Sequence, residues 1–304
     1  MTESIHKFFK TGLIEYMAFP AGMSGNDPHI LEKIKQIACD DYFDAIELTR
    51  IMDSEKRAVA AGILESSHMT VCYAAQPNLL TTGMNANHLD ENERIKAEET
   101  LIKAVDEASE LDAKGIAFLA GKWEESSKED SYNQLLKTTR NLCKYAKTKN
   151  MIIELEVFDF DIAKKSLIGP APLAARFAAD IRMTNDNFGL IIDLSHIPLT
   201  YETPEFVIRT LRPYITHFHI GNTVCKDQQL TGYGDEHQRF GFPGSSNDIP
   251  QLLEFLRVLK NEGFFNAENP YILSFEVKPW QDEDPDIVIA NAKRALNRAW
   301  AMLE

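Results

Sequence analysis

Four side chains able to ligate a metal, Glu156, Asp193, His219 and Glu276, each stand at or near the end of a short apolar run: IIELEVF, GLIIDLSH, ITHFHIG and YILSFEV. They are separated by 37, 26 and 57 residues. Such distances are too long for one helix or loop, so only a fold that brings successive strand ends to one place could unite them. Three carboxylates and an imidazole form an oxygen-rich set. It suits Mn²⁺ best, with Mg²⁺ or Co²⁺ also fitting, and Zn²⁺ less well because structural zinc prefers thiolate and histidine. One divalent ion is therefore expected. Two further residues share strand faces with this set, because Glu154 precedes Glu156 by two positions and His217 precedes His219 by two. The members nearer the strand ends are the favoured ligands, and Glu154 and His217 then lie deeper, as partners that orient the ligands or as a satisfied pair of their own.

The elements that must position these groups are legible along the chain. Strand-like runs occur at 13–19, 45–48, 70–74, 115–119, 151–157, 190–194, 215–220 and 272–277. Between them lie amphipathic patterns such as PHILEKIKQIACD, SEKRAVAAGILES, LDENERIKAEETLIKAVDEASELDA and YNQLLKTTRNLCKYAKTKN, with apolar residues recurring every three and four positions. Shorter helices are predicted over 172–183, 204–211, 249–261 and 285–302. Asp90, Thr203 and Asp284 read as caps, the last two followed by proline at the first helical position. Eight strand–helix units in 304 residues average 38 residues each, which predicts α/β class and a single (β/α)8 TIM barrel over 1–304. No glycine-rich phosphate fingerprint follows any strand, which argues against a dinucleotide fold.

In such a barrel the C-terminal strand ends face one opening, so the four candidates converge there. The long aperiodic stretch 221–248, GNTVCKDQQLTGYGDEHQRFGFPGSSND, is expected to cover that mouth. A shorter polar loop after the third strand contributes to the same wall. Composition restricts the partners: 32 basic against 46 acidic residues give a formal charge of −14, which disfavours nucleic acid and anionic membranes. No segment offers the roughly 20 consecutive apolar residues of a membrane span. Cys39, Cys72, Cys143 and Cys225 are scattered without CxxC pairing, so free thiols and a cytoplasmic location are expected.

Taken together, the segments LEV at 155–157, IIDLSH at 191–196, HFH at 217–219 and SFEV at 274–277 resemble the xylose isomerase-like barrel superfamily of sugar isomerases, ketose 3-epimerases and apurinic-site endonucleases. The resemblance runs from about residue 13 onward. It implies a metal held by Glu156, Asp193, His219 and Glu276, with Glu156 and Glu276 also acting as the acid and base. It places His196, the histidine of an Asp-x-x-His pattern, against a substrate oxygen; the bland alternative is a histidine capping the loop at Pro198. The implied activity is a sugar isomerase or epimerase reaction through an enediolate, on a small carbohydrate, in a homodimer or homotetramer. A lyase acting on a keto-sugar, keto-inositol or 3-oxo-glycoside is the alternative.

The departures matter too. The endonuclease branch needs extra histidines on the third and fourth strands, where this chain reads VCYAAQP and IAFLAGK. Its Asp-x-His does have a counterpart in Asp235 and His237, which leaves room for a second metal. Alternatively, 235–239 is a substrate-gripping segment in which His237 and Arg239 reach sugar hydroxyls, or a structural turn. The arginine that follows the metal histidine in the epimerase branch has no clear equivalent in IGNTVCKD. Lys278, two positions beyond Glu276, either faces the same mouth as a ligand for substrate oxygen or snorkels to solvent. Trp123 and Trp280 either stack on a sugar face or pack.

Overall fold

The computed structural model describes residues 1–304. Eight strands, β1 (Phe9–Ile14), β2 (Ala45–Leu48), β3 (Thr70–Ala74), β4 (Gly115–Leu119), β5 (Ile152–Glu156), β6 (Phe188–Asp193), β7 (Ile215–Gly221) and β8 (Tyr271–Glu276), close into a barrel in sequence order. Every neighbouring pair is parallel, and β1 closes the ring on β8 through Phe9–Leu13 against Tyr271–Phe275. The helices are α1 (Glu15–Ala18), α2 (Ile30–Ala38), α3 (Ser54–Ser67), α4 (Gln76–Leu80), α5 (Glu91–Glu110), α6 (Lys128–Lys147), α7 (Ala171–Arg182), α8 (Pro204–Leu211), α9 (Ile249–Asn261) and α10 (Pro285–Met302). Each strand is followed by one long helix, while α1 and α4 are short additions at the C-terminal ends of β1 and β3. No helix is long and apolar enough to cross a membrane. All four cysteines are free.

The expected helix starts hold because their caps form. Asp90 accepts from the amides of Asn92 and Glu93, Thr203 from that of Phe206, and Asp284 from those of Asp286 and Ile287. Each satisfies donors that the first helical turn leaves free. The first strand differs from expectation. It spans Phe9–Ile14 instead of 13–19, and Glu15–Ala18 turns into a helix. The run IEYMAF is uninterruptedly apolar apart from its glutamate, and periodicity alone does not separate a buried strand from a buried helical turn in so short a run. Pairing decides the matter, since Phe9–Leu13 supply the hydrogen-bonding edge that β8 requires.

The main core is a 77-residue apolar cluster between the barrel and its helices. The barrel lumen is different. Strand alternation places Glu154 and Glu156 on one face of β5, and His217 and His219 on one face of β7. Glu47 of β2 reaches both histidines from the opposite side of the ring, which fixes these faces as the lumen. The strands are also staggered, so that Glu156 is level with Ile191, Asp193 with His219, and Gly221 with Glu276. Since barrel strands tilt against the axis, this stepping brings β5 to β8 ends to the same opening.

Close packing gives a direct test. A Cβ on Gly115 would lie 2.2 Å from the Ile152 carbonyl oxygen, whereas Gly62, within α3, has open space around it. Gly115→Ala is expected to lower unfolding free energy by about 1–3 kcal/mol through overpacking. Gly62→Ala should raise it by about 0.5–1 kcal/mol through helix propensity. Urea melts of the two variants check both signs.

Candidate active site

The site is built upward from the lumen. At its base, Glu47 Oε1 lies 3.0 Å from His217 Nε2 and 3.2 Å from His219 Nε2. Glu154 is 3.6 Å from His217 Nδ1 and accepts a hydrogen bond from Thr216 Oγ1. Burial disfavours the charged imidazole of His217, but the Glu47 and Glu154 carboxylates together outweigh it and push the pKa up to about 9. Burial likewise opposes ionisation of Glu47, yet His219 and His217 hold it well below the usual carboxylate range.

Above this pair, His219 Nδ1 lies 3.2 Å from Glu156 Oε1 and 2.8 Å from Glu276 Oε2. Both carboxylates are buried. Glu276 Oε2 has no hydrogen-bond partner. Glu156 accepts a hydrogen bond of 2.7 Å from Gln76 Nε2. Burial and the nearby Glu276 charge raise the Glu156 pKa; burial also acts on Glu276, but His237 and His219 reverse it and hold that group ionised. Two carboxyl groups with environments that push them apart are the arrangement proton shuttling requires.

A third tier lies beside this one. His237 Nε2 lies 3.2 Å from both Asp193 Oδ2 and Glu276 Oε1, and His237 Nδ1 lies 3.1 Å from Asp235 Oδ1. His196 Nε2 is 3.2 Å from Asp235 and 3.6 Å from Asp193, with its Nδ1 3.0 Å from the Val157 carbonyl. His237 adopts a left-handed backbone with φ of 52°. A non-glycine residue held there is costly and is often found at a functional site.

Glu156, His219 and Glu276 thus form one cluster whose ligand atoms lie within 4.8 Å of one another, and Asp193, His196 and His237 form a second. Asp193 is joined to the first cluster through His237 instead of lying inside it. The residues fit a cation: two carboxylates converge on one imidazole nitrogen, which can donate at most one proton, and a buried carboxylate oxygen is left without a partner.

A cavity of about 100 Å³ opens above, lined by Glu156, Glu276, His237, Asp235, Lys164, Lys278, Gln76 and Tyr16, with Met17, Met23, Pro77, Leu80 and Phe158 forming an apolar side. Lys278 faces this cavity and pairs with Glu236. Arg239 does not line it; its guanidinium donates to Glu283 at 2.8 Å. His196 lies behind Asp193 and Asp235, its ring 4.3 Å from that of Phe158. Trp123 packs beneath Lys128 and Trp280 against Phe242, both away from the cavity.

Segment 221–248 proves to be an ordered wall. Only Asp235 and His237 from it line the cavity; buried Asn222, Thr223 and Gln238 hold it together by donating to its own Arg239, Gly234 and Gly232 carbonyls, and Asn247 ties it to the barrel by donating to the Leu194 carbonyl. Four site residues escaped the sequence reading. Glu47 carries the strand-end signal used for the later strands. Gln76 follows β3 in the stretch AAQPN, Tyr16 sits in the misjudged first run, and Lys164 lies in a loop without periodicity.

With this geometry established, comparison with known proteins places the chain. It matches the xylose isomerase-like TIM barrel family over residues 36–295, and it belongs to that family. A comparison against curated protein sequences finds no match. Among solved structures, the barrel resembles a D-psicose 3-epimerase from Clostridium cellulolyticum H10 determined with D-tagatose, at TM-score 0.70 and 16% identity, covering 97% of this chain and 100% of that one. An L-ribulose 3-epimerase gives TM-score 0.72 at 16% identity, covering 96% of each chain. A 3-keto-D-glucoside 4-epimerase from E. coli gives 0.66 at 15% identity, covering 96% of this chain and 99% of that one.

The buried ion pairs set the pH response of the metal-free protein. A His217 pKa raised to about 9 contributes stability that is fully present below the unfolded value near 6.5 and is lost as pH rises through 9. Glu47→Gln removes the partner of two buried imidazoles and is expected to cost about 3–5 kcal/mol at neutral pH. Denaturant melts of EDTA-stripped protein from pH 6 to 10 should show wild-type stability falling over that interval and a flatter profile in the variant.

Proposed function

We propose that this protein is a divalent-metal-dependent sugar isomerase or epimerase that moves a proton through an enediolate, with Glu156 and Glu276 as the exchanging acid and base. The observation that carries the reading is the pair itself. Two buried carboxyl groups flank one imidazole at the floor of a closed cavity, and one is held ionised while the other is pushed toward its protonated form. The resemblance to structures of ketose 3-epimerases and of a 3-keto-glucoside 4-epimerase supports it.

Glu156, His219 and Glu276 would hold the ion, with Asp193 beside them across His237; Mn²⁺ is favoured by the oxygen-rich set. An ion there supplies Lewis-acid polarisation of a substrate carbonyl. The remaining work belongs to the chain. One glutamate removes the proton from the carbon beside the carbonyl, and the other returns one on the opposite face. Their order follows the hand of the substrate. Gln76 orients Glu156 through its amide hydrogen bond. The neutral phenol of Tyr16, held well above its usual pKa by burial and by Glu276, remains a donor at the cavity wall. Lys278 and His237 are offered to sugar oxygens. His196 acts from behind by fixing Asp193 and Asp235, and Arg239 by anchoring the segment that carries His237 through Glu283.

Proton exchange followed by NMR in D₂O tests this reading, with free ketoses and 3-keto-glycosides as substrates and EDTA-stripped enzyme resupplied with Mn²⁺. Metal-dependent deuterium uptake beside the carbonyl, with recovery of an epimer or isomer, is expected. Glu156→Gln and Glu276→Gln should each slow it by about 10²–10⁴-fold. Uptake with loss of a leaving group would replace the isomerase by a lyase, and no exchange across the panel would overturn the substrate class.

A further inference from the structure

The second cluster poses a problem of charge. Glu156, Asp193, Asp235 and Glu276 are four buried carboxylates around one opening. A divalent ion among Glu156, His219 and Glu276 leaves Asp193 and Asp235 to the imidazoles of His196 and His237. Asp193, His196 and His237 could ligate a second ion, with Asp235 against both imidazoles. His196 Nε2, His237 Nδ1 and Asp235 Oδ1 lack hydrogen-bond partners. A buried set of this kind attracts cations.

One cation is already there. The Lys164 ammonium, half-buried in the loop between β5 and α7, lies 2.9 Å from Asp235 Oδ2 and lines the same cavity as Glu156 and Glu276. It is also 5.9 Å from the centre of the Phe158 ring, whose face favours a positive charge. We propose that Lys164 is the second cation of this active site, standing in for a second metal ion at Asp193, His196, Asp235 and His237 and presenting its ammonium to a substrate oxygen. The proposal rests on the metal-dependent reading above and adds a stoichiometry to it. Each chain takes one divalent ion, because the fixed ammonium repels a second. During proton transfer, negative charge that develops on the substrate then lies between one exchangeable cation and one that the chain supplies, which cannot be lost to chelators. A preorganised charge of this kind lowers the barrier without reorganisation at the moment of reaction.

Metal counting separates this from the activity reading, since it needs no substrate. Full-length protein is stripped with EDTA and titrated with Mn²⁺ by isothermal calorimetry, with the bound ion counted by mass spectrometry after gel filtration. Wild type and Lys164→Arg are expected to hold one ion per chain. Lys164→Met, with Lys164→Gln as a second form should the first fold poorly, is expected to take up a second ion, its affinity for that ion rising about tenfold or more as the repelling charge is removed. Two ions in wild type, or one in both neutral variants, would overturn the proposal. A wild type that binds none would overturn the metal reading itself, whereas one ion in wild type and two in the neutral variants would stand even if no ketose is turned over.

Discussion

The structure turns on the contact of Glu47 with His217 and His219 across the barrel lumen. A barrel of this kind ordinarily fills its interior with layers of branched apolar side chains. Here the upper layers are ionic, and taking charges out of water is tolerable only when each has an opposite neighbour. Glu47 performs that service for two imidazoles at once. By holding His219 through Nε2, it leaves Nδ1 facing Glu156 and Glu276 and so sets the orientation of the central imidazole. The polar tiers above inherit their alignment from this one contact.

The site also divides between parts that the barrel frame carries and parts added at its rim. The two lower ionic tiers come from β2, β5, β7 and β8, whose positions are tied together by the barrel's hydrogen bonding, and the third adds Asp193 of β6 to His196, Asp235 and His237 from the loops beyond β6 and β7. The cavity's apolar side comes from α1, the turn after it, and α4, short additions whose sequence the barrel does not constrain. Solved barrels acting on different keto-sugars share this fold with the chain at 15–16% identity. Fold likeness at that level leaves substrate choice to the cavity walls.

Much of this was legible before any coordinates. Three of the eight helices that follow strands match their expected limits to the residue, because Pro204, Asp248 and Pro285 mark their starts and polar or chain-end residues their finishes. Barrel closure followed from the alternation of strands and helices. Glu156, His219 and Glu276, expected together from their strand ends, lie together in space, whereas Asp193 meets His237, a contact between β6 and a residue 44 positions later that has no local signature. Glu47 obeys the same strand-end rule, but its strand AIEL is short and nothing beside it in the sequence ties it to the later set. Lys164 had no periodicity or motif; its place depends on where a loop crosses Asp235. Arg239 is expected near the cavity from its place two residues after His237, but the left-handed backbone at His237 breaks the extended alternation that would give the two side chains one face.

The wall formed by segment 221–248 has a geometric consequence. The Lys278 amide donates to the His237 carbonyl at 2.6 Å, and Asn247 donates to the carbonyls of Leu194 and Gly221, so this segment is stitched to three strand ends. A flap that opens for each turnover would have to break those buried bonds every time. The cavity's partly exposed apolar members, Met23 and Leu80, lie on the opposite side, in the turn after α1 and at the end of α4. Traffic into and out of the barrel therefore has a fixed jamb made by the last third of the chain and, facing it, an apolar threshold of thioether and leucine made by the first third.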